Sequence, residues 1–183
     1  MKKLFYLTKG ILMLTTLGFL LTGCTNEPIL DFQEANLKSA ATKKSDDSDK
    51  YHFTASLKGS NEVPANDSKS VGEIIVSINK EETKIHYKLI VANIENVIQS
   101  HFHIAPAGSN GGVAAFLFGP NPIPQPAGPV NGILAEGDIE AGNVINSIAG
   151  DLGALIDAIR AGNVYANVHT TAHPGGEIRG NLK

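Results

Sequence analysis

Apolar and polar residues alternate over much of the chain after residue 50, which is the pattern of β-strands with one buried face. In the first such stretch, Phe53, Ala55 and Leu57 alternate with polar residues. The same alternation, or an unbroken apolar run, predicts further strands at residues 72–78, 85–91, 97–105, 113–118 and 133–139. The pattern therefore predicts a domain built mainly of strands.

Residues 163–182 predict a terminal β-hairpin. Val164, Ala166 and Val168 form an apolar row, and the alternation resumes after the turn Pro174-Gly175-Gly176. Successive side chains of a strand point to opposite faces, so the polar row of the first strand ends at His169. This histidine is expected opposite the aliphatic face.

The period changes once, before the hairpin. Four aliphatic residues follow the i, i+3, i+4, i+7 spacing of an amphipathic helix: Leu152, Leu155, Ile156 and Ile159. Asp151 is a suitable N-cap and Gly162 a suitable stop, which predicts one short helix over residues 151–161 in a crossover. Five prolines in residues 119–132 predict an irregular loop.

The N-terminus has the features of an export signal. Lys2 and Lys3 precede a mostly apolar run, residues 11–21, which is too short to span a bilayer comfortably. The run ends in Leu21-Thr22-Gly23-Cys24, which resembles the lipobox of bacterial lipoproteins. That resemblance implies cleavage before Cys24 and lipidation of its thiol; the alternative is an ordinary signal peptide with a chance cysteine.

These features divide the chain into three parts. We predict a lipoprotein signal peptide in residues 1–23, a lipidated Cys24 with a flexible polar tether in residues 24–50, and a folded domain in residues 51–183. The expected location is the membrane, on the periplasmic or cell-surface side. Cys24 is the only cysteine, so no internal disulfide is expected.

Composition narrows the function classes only a little. Hydrophobic residues make up 42% of the 183 residues, near the norm for one globular domain. A net charge of −3 gives no reason to expect a nucleic-acid partner. No Ser-His-Asp set and no catalytic carboxylate pair can be recognised from spacing, so no catalytic residue is predicted.

Histidines carry the candidate chemistry. His101 and His103 are two apart on a predicted strand, so their side chains project from the same face and both can reach one metal ion. His169 and the nearby His173 are further candidate ligands. Imidazole suits Zn, Cu, Ni or Fe. The alternative is that these histidines are ordinary polar residues on the wet face of a half-exposed sheet.

Three blocks in order resemble the CHRD domain, a module named from chordin and common in bacterial secreted proteins. They are FTASLKGSNEVP at residues 53–64, HFHIAPAGSNG at residues 101–111, and GNVYANVHT with PGGEIRG within residues 162–180. The resemblance covers residues 51–182. It implies a β-sandwich or barrel whose biochemical function is mostly unassigned.

A second resemblance is to copper/zinc superoxide dismutases. In those Greek-key barrels an H-x-H strand and a later Val-His strand supply copper ligands, and His101, His103 and Val168-His169 look similar. Arg179 would stand where a substrate-guiding arginine stands. The chain lacks the disulfide, an evident bridging histidine and the run of zinc ligands.

The combined prediction is an all-β fold, an antiparallel Greek-key β-sandwich or barrel with one short helix in a crossover. We expect a lipid-anchored, extracytoplasmic binding module that binds Cu or Zn through His101, His103, His169 and His173. A copper-dependent redox enzyme and a purely structural or adhesive domain are the alternatives. The sequence names no protein or glycan partner.

Overall fold

A computed structural model describes residues 50–119 and 128–183 of the chain. The predicted signal peptide, Cys24 and all but the last residue of the predicted tether lie outside the described residues, as do residues 120–127 of the predicted proline-rich loop. Among the described residues, no helix is both long enough and apolar enough to cross a membrane.

Eight antiparallel strands and one α-helix form the described domain, which confirms the all-β prediction. The strands are β1 (His52–Lys58), β2 (Val71–Ile78), β3 (Ile85–Glu95), β4 (Val97–Ile104), β5 (Gly112–Phe118), β6 (Pro129–Ile139), β7 (Val164–Thr170) and β8 (Ile178–Asn181), and the helix is α1 (Leu152–Arg160). They form a single sheet with the order β5-β4-β7-β8-β1-β2-β3-β6.

The sheet curls into a nearly closed barrel, because its two edge strands, β5 and β6, lie beside each other. Around the barrel the order β3-β6-β5-β4 is that of a Greek key. The Tyr87 hydroxyl of β3 donates to the Leu117 carbonyl of β5 over 2.6 Å. Ile145, which follows β6, donates its N–H to the Ala114 carbonyl over 2.9 Å and satisfies part of the β5 edge.

In the first three strands, the apolar residues that the alternation predicted to face inward are buried in the core. Ala55 of β1 and Leu89 of β3 flank Ile74 of β2 in register, and all three are buried. Ile75, the next residue of β2, points outward and is exposed, as the period of two requires. This inward row fixes which face of each strand is available for chemistry.

The predicted helix is confirmed as α1, with the four predicted aliphatic residues buried in the core. The Asp151 side chain accepts from the Ala154 N–H over 2.9 Å and caps the helix N-terminus. Arg160 makes a two-pronged ion pair with Glu82 in the turn after β2, with N–O distances of 2.7 and 3.2 Å. The helix is thereby fixed to the end of the barrel.

One predicted boundary is wrong: residues 129–132, expected in an irregular loop, begin strand β6. Their partner β3 extends to Glu95, beyond the predicted end at residue 91, and pairs Glu95 with Pro129 and Ile94 with Val130. Proline is tolerated at the first position of a strand, so Pro129 does not prevent this pairing.

Candidate metal centre

Strand β7 carries the candidate site and is buried along its whole length, on both faces. Val164, Ala166 and Val168 face the core, as predicted. The opposite row, Tyr165 and Asn167 together with His169, is also buried, because loops cover the outside of the barrel there. This row is therefore not the wet face of a half-exposed sheet.

The structure brings three predicted ligands together on that covered face. His101 and His103 come from β4, and His169 comes from the neighbouring β7. They are 3%, 8% and 7% exposed. One ring nitrogen from each lies within 4.8 Å of the others, and His101 Nδ1 is 3.2 Å from His169 Nε2. Packing of a barrel wall does not by itself require three buried imidazoles in contact with one another.

His173 does not join this group. It lies half-buried in the turn between β7 and β8, where its N–H donates to the Thr170 hydroxyl over 3.1 Å. Its carbonyl accepts from the Gly176 N–H over 3.0 Å. Both of these hydrogen bonds are made by the backbone of His173.

Backbone carbonyls orient two of the three rings. His103 Nδ1 lies 2.9 Å from the Gly111 carbonyl oxygen, and His169 Nδ1 lies 2.9 Å from the Pro174 carbonyl oxygen. A carbonyl can only accept, so each Nδ1 carries a hydrogen and each neutral ring has its lone pair on Nε2. Metal-binding histidines are commonly held in this way, with the second ring nitrogen donating to a carbonyl.

Burial keeps the rings neutral. Desolvation, helped by the charges that His169 and His103 would carry, lowers the pKa of His101 to about 3. Desolvation also lowers the pKa of His103 and of His169, although their carbonyl hydrogen bonds oppose the change. Neutral imidazole is the form that binds metals, so at neutral pH the cluster releases no net proton when an ion binds.

An aromatic and cationic stack forms one wall of the site. The Tyr165 ring stacks on His103 with centroids 4.7 Å apart, and the Arg179 guanidinium carbon lies 3.4 Å from the Tyr165 centroid on its other face. Arg179 is fully buried and donates to Asn110 Oδ1 over 3.0 Å and to the Ser109 carbonyl over 2.5 Å. These contacts pin the loop after β4 over the histidines.

Glu177 ties a second covering loop to the hairpin. Its carboxylate accepts from the hydroxyls of Ser68, Ser70 and Thr170 over 2.5–2.7 Å. Burial would raise its pKa, but these hydrogen bonds outweigh burial and hold the pKa below its usual value. Glu177 and Arg179 therefore anchor two different loops.

Asn167 is a site residue that the histidine pattern did not identify. It pairs with His101 across the β4–β7 ladder, and its Oδ1 lies 3.1 Å from both His103 Nε2 and His169 Nε2. Its sequence signal was available, because Asn167 and His169 have the same i, i+2 relation as His101 and His103. The predicted ligand set consists of histidines only and does not include this amide.

A family model described as the CHRD domain matches residues 53–182. No curated protein and no solved structure matches the chain.

Proposed function

The chain belongs to the CHRD domain family, and we propose that its barrel is a binding module for one transition-metal ion held by His101, His103 and His169. The observation that supports this most strongly is the convergence of three buried imidazoles whose orientation and neutral charge suit coordination. Imidazole ligands favour zinc or copper among the common ions.

The directions of the ring nitrogens support metal binding. His103 and His169 each bond Nδ1 to a backbone carbonyl, and both Nε2 atoms point into the cluster, where each lies 3.1 Å from Asn167 Oδ1. The nitrogens that carry the lone pairs are therefore the ones that face the place where an ion would bind.

Thermal unfolding tests this proposal on the untagged protein. A ligand that binds only the folded state stabilises it by about 2.7 kcal/mol when present at about 100 times its dissociation constant. We expect Zn²⁺ or Cu²⁺ to raise the melting temperature of the wild type but not of His101→Ala/His103→Ala. The matched control His52→Ala/His86→Ala removes two exposed histidines outside the cluster and should respond like the wild type. An equal response in all three proteins would refute the site.

We also propose that the protein is a membrane-anchored lipoprotein with its barrel on the periplasmic or cell-surface side. The sequence Leu21-Thr22-Gly23-Cys24 after a basic start and an apolar run supports this. Metabolic labelling with a fatty acid should mark the wild type and not Cys24→Ser. Equal labelling of both proteins would refute lipidation at Cys24.

A copper redox enzyme is the alternative function of the same cluster. The placement of the three histidines on two neighbouring strands favours it, but Arg179 is buried under Tyr165 and Asn110, so it does not face an entering substrate. Redox catalysis would also require an open coordination position. Superoxide dismutation by the copper-loaded protein, abolished in His101→Ala/His103→Ala, would establish it.

A further inference from the structure

We propose that Asn167 is the fourth donor of this site, so that the barrel holds a divalent, tetrahedrally coordinated ion of the Zn²⁺ class in a closed N₃O shell. The inference rests on the metal-binding function proposed above and names both the missing ligand and the class of ion. A closed shell leaves no position for a substrate, so the metal would be held and not used in catalysis.

The position of Asn167 suits a ligand. Its side chain is 97% buried, since the residue is only 3% exposed, and it lies between the strands that supply the three histidines. Its amide lies within hydrogen-bond distance of His103 and His169, and Asn167 stands directly opposite His101 in the β4–β7 ladder.

The spacing of three donor pairs is close to that of a tetrahedral coordination shell. Asn167 Oδ1 lies 3.1 Å from His103 Nε2 and 3.1 Å from His169 Nε2, and His169 Nε2 lies 3.2 Å from His101 Nδ1. A tetrahedral zinc site with bonds of about 2.0–2.1 Å has donor–donor edges of about 3.3–3.4 Å. These three edges are within a few tenths of an ångström of that value, and the three imidazole nitrogens all lie within 4.8 Å of one another.

The hydrogen-bond inventory shows what Asn167 can do with and without an ion. The Nε2 atoms of His103 and His169 carry lone pairs, because both Nδ1 hydrogens are used by carbonyls. An amide oxygen between them would place three acceptors together without a hydrogen. Two arrangements remove this conflict: the amide rotates and donates its NH₂ group to the two nitrogens, or a metal ion lies at the centre and all three lone pairs point at it.

Asparagine can also stabilise a metal-free form of the site. Rotating the amide by about half a turn exchanges its oxygen and its NH₂ group, which have nearly the same shape. With the NH₂ group inward, Asn167 donates to both Nε2 atoms; with the oxygen inward, it binds the ion. Aspartate could do only the second, because its carboxylate has no hydrogen to donate.

This difference provides the experiment. Zn²⁺ affinity of the full, untagged chain is measured by competition with a chromophoric chelator for the wild type, Asn167→Ala and Asn167→Asp, with the surface variant Asn131→Ala as control. We expect Asn167→Ala to lose at least about tenfold in affinity. Asn167→Asp should bind at least as tightly as the wild type, and Asn131→Ala should match it.

The absorption of Co²⁺, a spectroscopic substitute for Zn²⁺, supplies a readout that a structural role would not change. Its bands should shift between the wild type and Asn167→Asp, because a donor on the metal has changed. Equal affinity of Asn167→Ala and the wild type would overturn the inference and leave the three-histidine site intact. Equal losses in the Ala and Asp variants would also overturn it, because they would show that the amide acts only as a hydrogen-bond donor.

Two further outcomes are decided by the same design. If the wild type binds neither Zn²⁺ nor Co²⁺, the proposed metal-binding function is wrong, and the inference about Asn167 is wrong as well. If Asn167→Ala does not fold, the comparison of Asn167→Asp with the wild type decides: weaker binding and unchanged Co²⁺ bands overturn the inference.

Discussion

Gly111 shows how one residue supports the candidate site from outside it. Its carbonyl accepts from His103 Nδ1, and its N–H donates to the Tyr165 hydroxyl over 3.3 Å. A methyl group at this position would overlap the Ile104 carbonyl oxygen, so only glycine allows this approach of loop and strand. The orientation of the His103 ring therefore depends on the absence of a side chain eight residues later.

Gly111→Ala should accordingly destabilise the metal-free protein by about 1–3 kcal/mol, because the backbone must move to relieve the overlap. It should also weaken Zn²⁺ binding, since His103 loses its oriented hydrogen bond. Urea unfolding with a chelator present measures the first effect.

Gly112→Ala is the matched control for this substitution. A methyl group on Gly112 meets nothing within 4 Å, so its effect should stay within about 0.5 kcal/mol. Similar losses in both alanine variants would show that the close approach at Gly111 is not what holds the loop.

At the scale of secondary-structure elements, the pairing of β4 with β7 brings the three histidines of the cluster together. Alternation alone placed the histidines on the outward faces of both strands, and that prediction is confirmed. It did not show that β4 and β7 are neighbours, or that Asn167 would lie opposite His101, because pairing and register depend on contacts distant in sequence. The covering loops that bury this face have no periodic pattern and could not be predicted from it.

Two other features escaped prediction for similar reasons. His173 sits close to His169 in sequence, but the turn places it outside the cluster, and turn geometry is set by Pro174-Gly175-Gly176 and its backbone bonds. Pro129 begins β6 because β3 offers it an edge, which local composition does not reveal.

The buried β4–β7 cluster predicts a pH dependence of the metal-free fold. An unfolded histidine binds a proton near pH 6.5, whereas burial lowers the pKa of His101 to about 3 in the folded protein. Unfolding therefore takes up protons as the pH falls below about 6.5, and stability is lost between that pH and the folded pKa. For this ring the slope approaches about 1.4 kcal/mol per pH unit.

Chemical denaturation at about pH 7.5 and about pH 5, with a chelator present, measures this dependence. His101→Gln should lose about 1–2 kcal/mol less stability than the wild type over this interval. The exposed-histidine control His52→Gln should lose as much as the wild type. If His101→Gln shows the wild-type dependence, His101 is not kept neutral by the fold.

At the scale of the whole molecule, a Greek-key barrel supplies a rigid wall and the loops make a site on its outer face. The core is formed by the inward rows, so the outward row of β4 and β7 can carry polar residues without weakening the barrel. Arg179 and Glu177 hold separate loops over that row. The fold class was predictable because it depends on alternation, whereas the site depends on loop anchoring by a few buried polar groups.

Metal content of the untagged protein tests the central claim most directly. After equilibration with Zn²⁺ or Cu²⁺ and desalting, elemental analysis should find about one equivalent per chain in the wild type and in His52→Ala/His86→Ala, and none in His101→Ala/His103→Ala. Failure of the wild type to retain metal, or equal retention in all three proteins, would contradict a metal centre at this cluster.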